Sequence, residues 1–115
     1  MKRGEVYLAY LTPRSGSEQR GRRPVIVMSH DAFNQVVSWQ SVIVVSVSTS
    51  DRQAARGPTA VVLRKGAGGL KSDSVAICHQ VTTLDRRKLA RRLGKLTKQD
   101  LAAVEDGVKA AMDLL

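Results

Sequence analysis

Apolar residues fall at alternate positions, or in short β-branched runs, through most of the chain, and recur at every third or fourth position only in its last segment. A period of two marks a strand with one buried face, and a period near 3.6 marks an amphipathic helix. Residues 4–11 (GEVYLAYL) alternate and close on Thr12-Pro13, which predicts a strand. Residues 24–28 (PVIVM) form a continuous apolar run suited to a strand buried on both faces, with Pro24 at the first position, where a sheet tolerates proline. Residues 31–36 predict one or two helical turns capped by Asp31. Residues 41–48 (SVIVVSVS) are the most β-prone stretch, and strands are also expected at 59–63 and 74–84. Residues 89–96 (LARRLGKL) read equally as a strand or a helical turn. Behind Thr97 and Asp100, which resemble a capping box, Leu101, Val104, Val108, Met112 and Leu115 make one helical stripe. Gly107 inside that stripe weakens the helix by roughly 1 kcal/mol.

Short strands without βα alternation, followed by one terminal helix, point away from a parallel sheet. They predict an α+β, mainly β class: a small antiparallel, barrel-like sheet with a C-terminal amphipathic helix, as one domain over residues 1–115. The single cysteine, Cys78, forbids an intrachain disulfide and fits a buried small hydrophobe. The start of the chain lacks the apolar core and cleavage site of a secretion signal, and no run approaches the ~18 apolar residues of a membrane span. The expectation is a soluble, cytoplasmic protein.

Charge changes the picture more. Nineteen Lys and Arg against ten Asp and Glu give +9, which favours a polyanionic partner, nucleic acid first. The cations gather in three places: Arg20, Arg22 and Arg23 before the strand at 24–28; Arg64, Lys65 and Lys71 around a glycine-rich loop; and Arg86, Arg87, Lys88, Arg91, Arg92 and Lys95. Each alone also fits a solvated face. The glycine-rich residues 64–72 (RKGAGGLKS) match no phosphate-binding template and read as a turn. Tyr7, Tyr10, Phe33 and Trp39 are the only aromatics, too few for a broad base-stacking platform.

The residues then limit the chemistry. His30, Cys78 and His79 lack metal-ligand spacing, so no metal and no cofactor is expected. No G-x-S-x-G elbow is present, and paired catalytic carboxylates are poorly supplied. What is well supplied is positive charge beside hydroxyls: Arg23 at a strand start, and Ser48, Thr49 and Ser50 at a strand end. A guanidinium fork grips phosphate oxygens and neutralises charge building at phosphorus, and a threonine hydroxyl adds one more bond. If the phosphodiester is RNA, its own 2′-hydroxyl is the nucleophile. The alternative for Arg23 is a surface ion pair, and for Thr49 a bond to nearby backbone.

Residues 2–27 (KRGEVYLAYLTPRSGSEQRGRRPVIV) and 42–50 (VIVVSVSTS), continued through GPTAVVL, LKSDSVAICHQVTTLD and the tail, resemble the MazF/PemK family of toxin endoribonucleases in order and spacing. The resemblance implies an SH3-like barrel with a C-terminal helix, assembled as a homodimer. It also implies metal-independent cleavage of single-stranded mRNA to 2′,3′-cyclic phosphate and 5′-hydroxyl ends, stopping translation until a cognate MazE-like antitoxin covers the RNA groove. Arg23 matches the family's arginine before the strand proline and Thr49 its signature threonine, so both are implied to be catalytic. Ser17, Glu18 and Gln19 match the loop beside the scissile phosphate, and Gln80 a groove-bordering glutamine; Arg20, Ser48 and Ser50 join them as candidate RNA contacts. Two departures stand out. His79 occupies a position where many relatives carry an acid and is a candidate base with a half-buried strand histidine as the alternative, and Ser46-Val47-Ser48 replaces the proline often found before the threonine. Rival readings are a gyrase-targeting toxin on the same fold, which the tail AAMDLL does not favour for want of an aromatic tip, and a barrel that holds RNA without cutting it.

Overall fold

The computed structural model describes residues 1–11, 21–49 and 57–114. Six strands, β1 (Glu5–Leu11), β2 (Gly21–Val27), β3 (Ser41–Ser48), β4 (Ala60–Leu63), β5 (Ser74–Asp85) and β6 (Leu89–Lys95), form one sheet in the order β4-β5-β3-β2-β1-β6, every neighbouring pair antiparallel. A short helix α1 (Asp31–Asn34) follows β2, and α2 (Lys98–Met112) ends the described chain. The mainly β class with a terminal helix is the expected one.

Each face of the sheet carries its own apolar cluster, because strand alternation sends successive residues to opposite sides. Val6, Ile26, Val45 and Val47 share the first face with Leu63, Ala76, Cys78 and Leu96, and α2 covers it through Val104. Ala9, Leu11, Val25, Val27, Val42 and Val44 fill the second. Val25, Ile26 and Val27 are all fully buried, as a continuous apolar run on a central strand requires. The two edge strands stand at opposite ends of the order, yet the 3-10 turn Ala67–Gly69 after β4 packs against β6, so the sheet curls into a barrel-like closure. Leu70 and Leu96 join one core across that closure.

Several local expectations change. The strand expected from Pro24 begins at Gly21, because pairing of Leu11 with Gly21, Tyr10 with Arg22 and Ala9 with Arg23 extends it backwards through the arginines. The strand expected at 59–63 starts one residue later, after a 3-10 turn at Gly57–Thr59. His30, not Asp31, caps α1: its Nδ1 accepts from the Ala32 amide at 2.9 Å, while the Asp31 carboxylate accepts from the Arg3 amide at 2.7 Å and from Asn34 Nδ2 at 3.1 Å. Residues 89–95 settle as an edge strand, β6, paired to β1. Thr97 caps α2 as expected, its Oγ1 accepting from the Asp100 amide at 3.1 Å. The helical stripe is buried at Val104 and half-buried at Leu101 and Val108, but Met112 is exposed, and Leu115 lies outside the described residues.

Candidate nucleic-acid interface

The β1-β2-β3 register assembles the candidate site. Pairing of β2 with β3 ends at Val25 opposite Ser46; two residues further along each strand stand Arg23 and Ser48, with Thr49 immediately after. Arg23 and Thr49 are exposed, whereas Ser46 and Ser48 are buried in the sheet. Two segments distant in sequence thus place a guanidinium and a hydroxyl residue at adjacent strand ends, and Ser48 is bounded on its other side by Val75 of β5. The connection carrying Ser17, Glu18, Gln19 and Arg20 leaves the sheet at Leu11 and re-enters it at the paired Gly21, two residues before Arg23. Those four residues, and Ser50, lie outside the described residues.

Gln80 owes its place to an irregularity. On β3, Val45 pairs with Val81 and the next residue, Ser46, with Ile77, so Cys78, His79 and Gln80 are extra residues bulged out of the β3–β5 ladder. Gln80 is half-buried beside the middle of β3 and His79 is exposed there. Arg23 flanks the end of β3 from the other side, so His79 lies two strand spacings away from it, roughly 10 Å or more, and further along the sheet. Cys78 faces the opposite way, into the core, where its Sγ donates to the Val104 carbonyl at 3.5 Å. Burial pushes the Cys78 thiol up to about 11, so it stays protonated and unreactive at neutral pH.

The cation clusters divide into committed and available members. In the third cluster Arg92 pairs with Glu5, Arg87 holds Asp85 through two bonds of 3.1 Å to its two carboxylate oxygens, and Arg86 donates from Nη2 to the Phe33 carbonyl at 2.7 Å. The Arg87 contacts hold the Asp85 carboxyl below the usual range. Lys88, Arg91 and Lys95 are exposed and join no ion pair among the described residues. In the first cluster, strand alternation separates two neighbours that the sequence grouped together: Arg23 shares the second face with Val25, and Arg22 goes to the first face, its guanidinium carbon 5.4 Å from the centre of the Tyr10 ring. The clue, legible only once the strand is extended back to Gly21, is the alternation itself. In the glycine-rich turn, Lys65 offers its amide to Asp73 Oδ1 at 2.8 Å, a structural bond, while the Lys65 side chain is exposed. Among the described residues no group of three or more His, Cys, Asp or Glu could hold a metal.

Residues 2–112 match the family model described as the PemK-like, MazF-like toxin of type II toxin-antitoxin systems. The chain is 34% identical over 114 residues to the endoribonuclease MazF of Staphylococcus saprophyticus, covering 99% of this chain and 92% of that one. A crystal structure of MazF from Deinococcus radiodurans superposes with a TM-score of 0.79 at 27% identity, over 99% of this chain and 97% of that one. A MazE-MazF crystal structure from the same organism superposes with a TM-score of 0.73 at 27% identity, over 100% of this chain and 97% of the matched one.

Proposed function

We infer that this chain, which belongs to the PemK-like, MazF-like toxin family, is an endoribonuclease that cuts single-stranded RNA and is held in check by a MazE-like antitoxin. Taken as one toxin domain over 1–115, it acts in the cytoplasm, where its messenger substrates are. No helix among the described residues is long and apolar enough to cross a membrane. The observation that supports the reading is the position of Arg23 and the Ser48-Thr49 pair at the ends of neighbouring strands, within a chain that matches the family almost throughout.

The mechanism follows from what those groups can do. The 2′-oxygen of the ribose gives its proton to solvent water and attacks the adjacent phosphorus; the bond from phosphorus to the 5′-oxygen breaks, and that oxygen takes a proton from water. The products are a 2′,3′-cyclic phosphate and a 5′-hydroxyl. Negative charge builds on the non-bridging oxygens in between, and Arg23, a fixed cation with a planar fork of donors, neutralises it. A guanidinium that never deprotonates in water cannot serve as the base, so Arg23 acts electrostatically. Thr49 donates its hydroxyl to the same phosphate. Ser17, Glu18, Gln19, Arg20, Ser48, Ser50 and Gln80 are assigned to holding the strand on either side. Because the substrate supplies its own nucleophile, this route requires neither metal-bound water nor another cofactor. The homodimer belongs to the same reading: exposed Ile43 and Met112 border an apolar groove of about 400 Å³ between β3, β5 and α2, surface that a second copy would cover.

The test incubates the pure protein with end-labelled RNA in EDTA. Cyclic-phosphate ends are expected, with 2′-deoxy strands left uncut. Arg23→Ala should lower kcat by about 100-fold or more, and Thr49→Ala by about 10-fold, both with retained binding. His79→Gln should leave the pH–rate profile unchanged, because of its distance from Arg23. Intact RNA in the parent, the result a protein-directed poison or a non-cutting RNA binder would give, overturns the reading; full turnover in Arg23→Ala overturns the role of that residue.

A further inference from the structure

We propose that Tyr10, Arg22 and Arg91 form a second RNA-contact strip, holding nucleotides that flank the cleaved linkage on the helix-bearing face of the sheet. It rests on the endoribonuclease reading above. Tyr10 pairs with Arg22 across β1 and β2, and Leu8, two residues earlier on the same face as Tyr10, pairs with Pro24 on one side and Arg91 on the other. Three adjacent strands thereby bring the phenol and both guanidinium groups to one surface. That surface is open: Tyr10 is 50% exposed, and Arg22 and Arg91 are exposed.

Charge and chemistry indicate what lies on it. Neither arginine forms an ion pair among the described residues, whereas Arg92, next to Arg91, is taken by Glu5. The 5.4 Å stack of Arg22 on Tyr10 leaves a flat, positively charged ledge of ring and guanidinium, on which an unpaired base stacks while the free donors reach phosphate. Strands β2 and β6 lie about 10 Å apart, so Arg91 meets the same backbone further along. Continuity with the catalytic position favours RNA over an acidic peptide, which would use the charge but not the ring. Arg22 and Arg23 are consecutive and turn to opposite faces near the start of β2, so RNA held at Arg23 lies one residue from Arg22.

The experiment compares two ribo-oligonucleotides chosen by mapping cleavage on one long RNA: one trimmed to the cleavage site, the other carrying several more nucleotides on each side. For the extended oligonucleotide, Tyr10→Ala should raise KM about 5- to 50-fold with kcat unchanged, and Tyr10→Phe, which keeps the ring, should restore it. For the trimmed one, kcat and KM should stay at the parent values. In binding titrations on a Thr49→Ala background, Arg22→Ala with Arg91→Ala should reduce the salt dependence of log K by about 1.4, the share of two phosphate contacts on a single strand. Losses of equal size on both lengths, or on neither, overturn the strip. So does unchanged RNA affinity accompanied by weakened binding of a polyglutamate peptide, which would mark a site for acidic protein. If the parent cuts no RNA, the endoribonuclease reading fails first and the titration alone decides the strip; if it cuts without any length effect, only the strip fails.

Discussion

A glycine in the middle of α2 looks like a defect until its neighbours are counted. Gly107 is buried, and a Cβ placed there would stand 2.5 Å from Cys78 Sγ and 2.9 Å from Val61 Cγ2. The helix therefore gives up roughly 1 kcal/mol of intrinsic preference so that its backbone can lie directly on β5 and β4, beside the Cys78–His79–Gln80 bulge. Gly107→Ala recovers that propensity but overpacks a rigid spot, at a cost of about 1–3 kcal/mol. A net destabilisation of about 1 kcal/mol is expected. Cys78→Ala alone also destabilises, by leaving a small cavity, but it removes the sulfur that the new methyl would strike. In a double-mutant cycle by urea denaturation the two substitutions should be less damaging together than their sum, with a coupling of at least about 0.5 kcal/mol. Strict additivity would mean that the helix shifts away from β5 instead. The sequence showed the glycine and the buried thiol separately; their contact joins residues too far apart in the chain for periodicity to reveal.

At the level of elements, the loop between β4 and β5 is more than the turn its composition announces. Gly69 has φ +79°, and a Cβ there would stand 2.0 Å from the Leu93 carbonyl oxygen of β6, far inside contact distance, and that oxygen cannot move without breaking strand geometry. Gly66 shares the left-handed conformation, φ +97°, but a Cβ there meets open space. The same substitution at the two sites therefore separates strain from collision. Gly66→Ala should cost only the left-handed penalty, about 1–2 kcal/mol. Gly69→Ala should cost that and overpacking besides, about 3 kcal/mol or more, and lower Tm by roughly 4 °C for each kcal/mol. Equal losses would show that the loop does not close the barrel against β6. Elements dominated by local signals were legible in the sequence: the strand at 41–48, the cap at Thr97 and the helical stripe behind it. The start of β2 was not, because Gly21, Arg22 and Arg23 have no β-like composition and are drawn into the sheet by pairing with β1. The same pairing decides the candidate site. Arg23 and Thr49 could be picked out as residue types, but that they stand at neighbouring strand ends, and that Arg22 leaves for the other face, follows from register alone.

At the scale of the molecule, Glu5, Asp31, Asp73, Asp85 and Glu105 are spent on architecture, while Lys88, Arg91 and Lys95 stay exposed for a polyanion. Arg3 reaches Glu105 on α2 at 2.7 Å, Asp85 holds Arg87, and Asp31 ties the N-terminal segment to α1. Among the described residues the most buried acid is Glu5, at 8% exposure, which accepts from Arg92 on β6 and from the Lys2 amide. Burial pushes its carboxyl up, but the bonds from Arg92 and Lys2, together with the positive charges nearby, outweigh that and hold it below the usual glutamate range. A carboxylate whose native value lies below its unfolded value stabilises the fold fully above the ordinary range, and this contribution is lost as pH falls through the lowered native value. Asp31 is shifted in the same direction by the Arg3 amide and Asn34, so the two losses run together. Stability measured by urea denaturation should therefore be flat near neutrality and fall below about pH 5. Glu5→Gln should lower it at pH 7 by about 1 kcal/mol, a figure kept small because the half-exposed Arg92 is screened by water, and should make the acid slope shallower. High salt at pH 7 should weaken RNA binding steeply while changing this stability little, since Glu5–Arg92 and Arg3–Glu105 are short and partly buried and the cations that face RNA are not. A fold that lost stability in parallel with RNA affinity as salt rises would show that the same charges serve both, contrary to the division between committed and available arginines seen along β6.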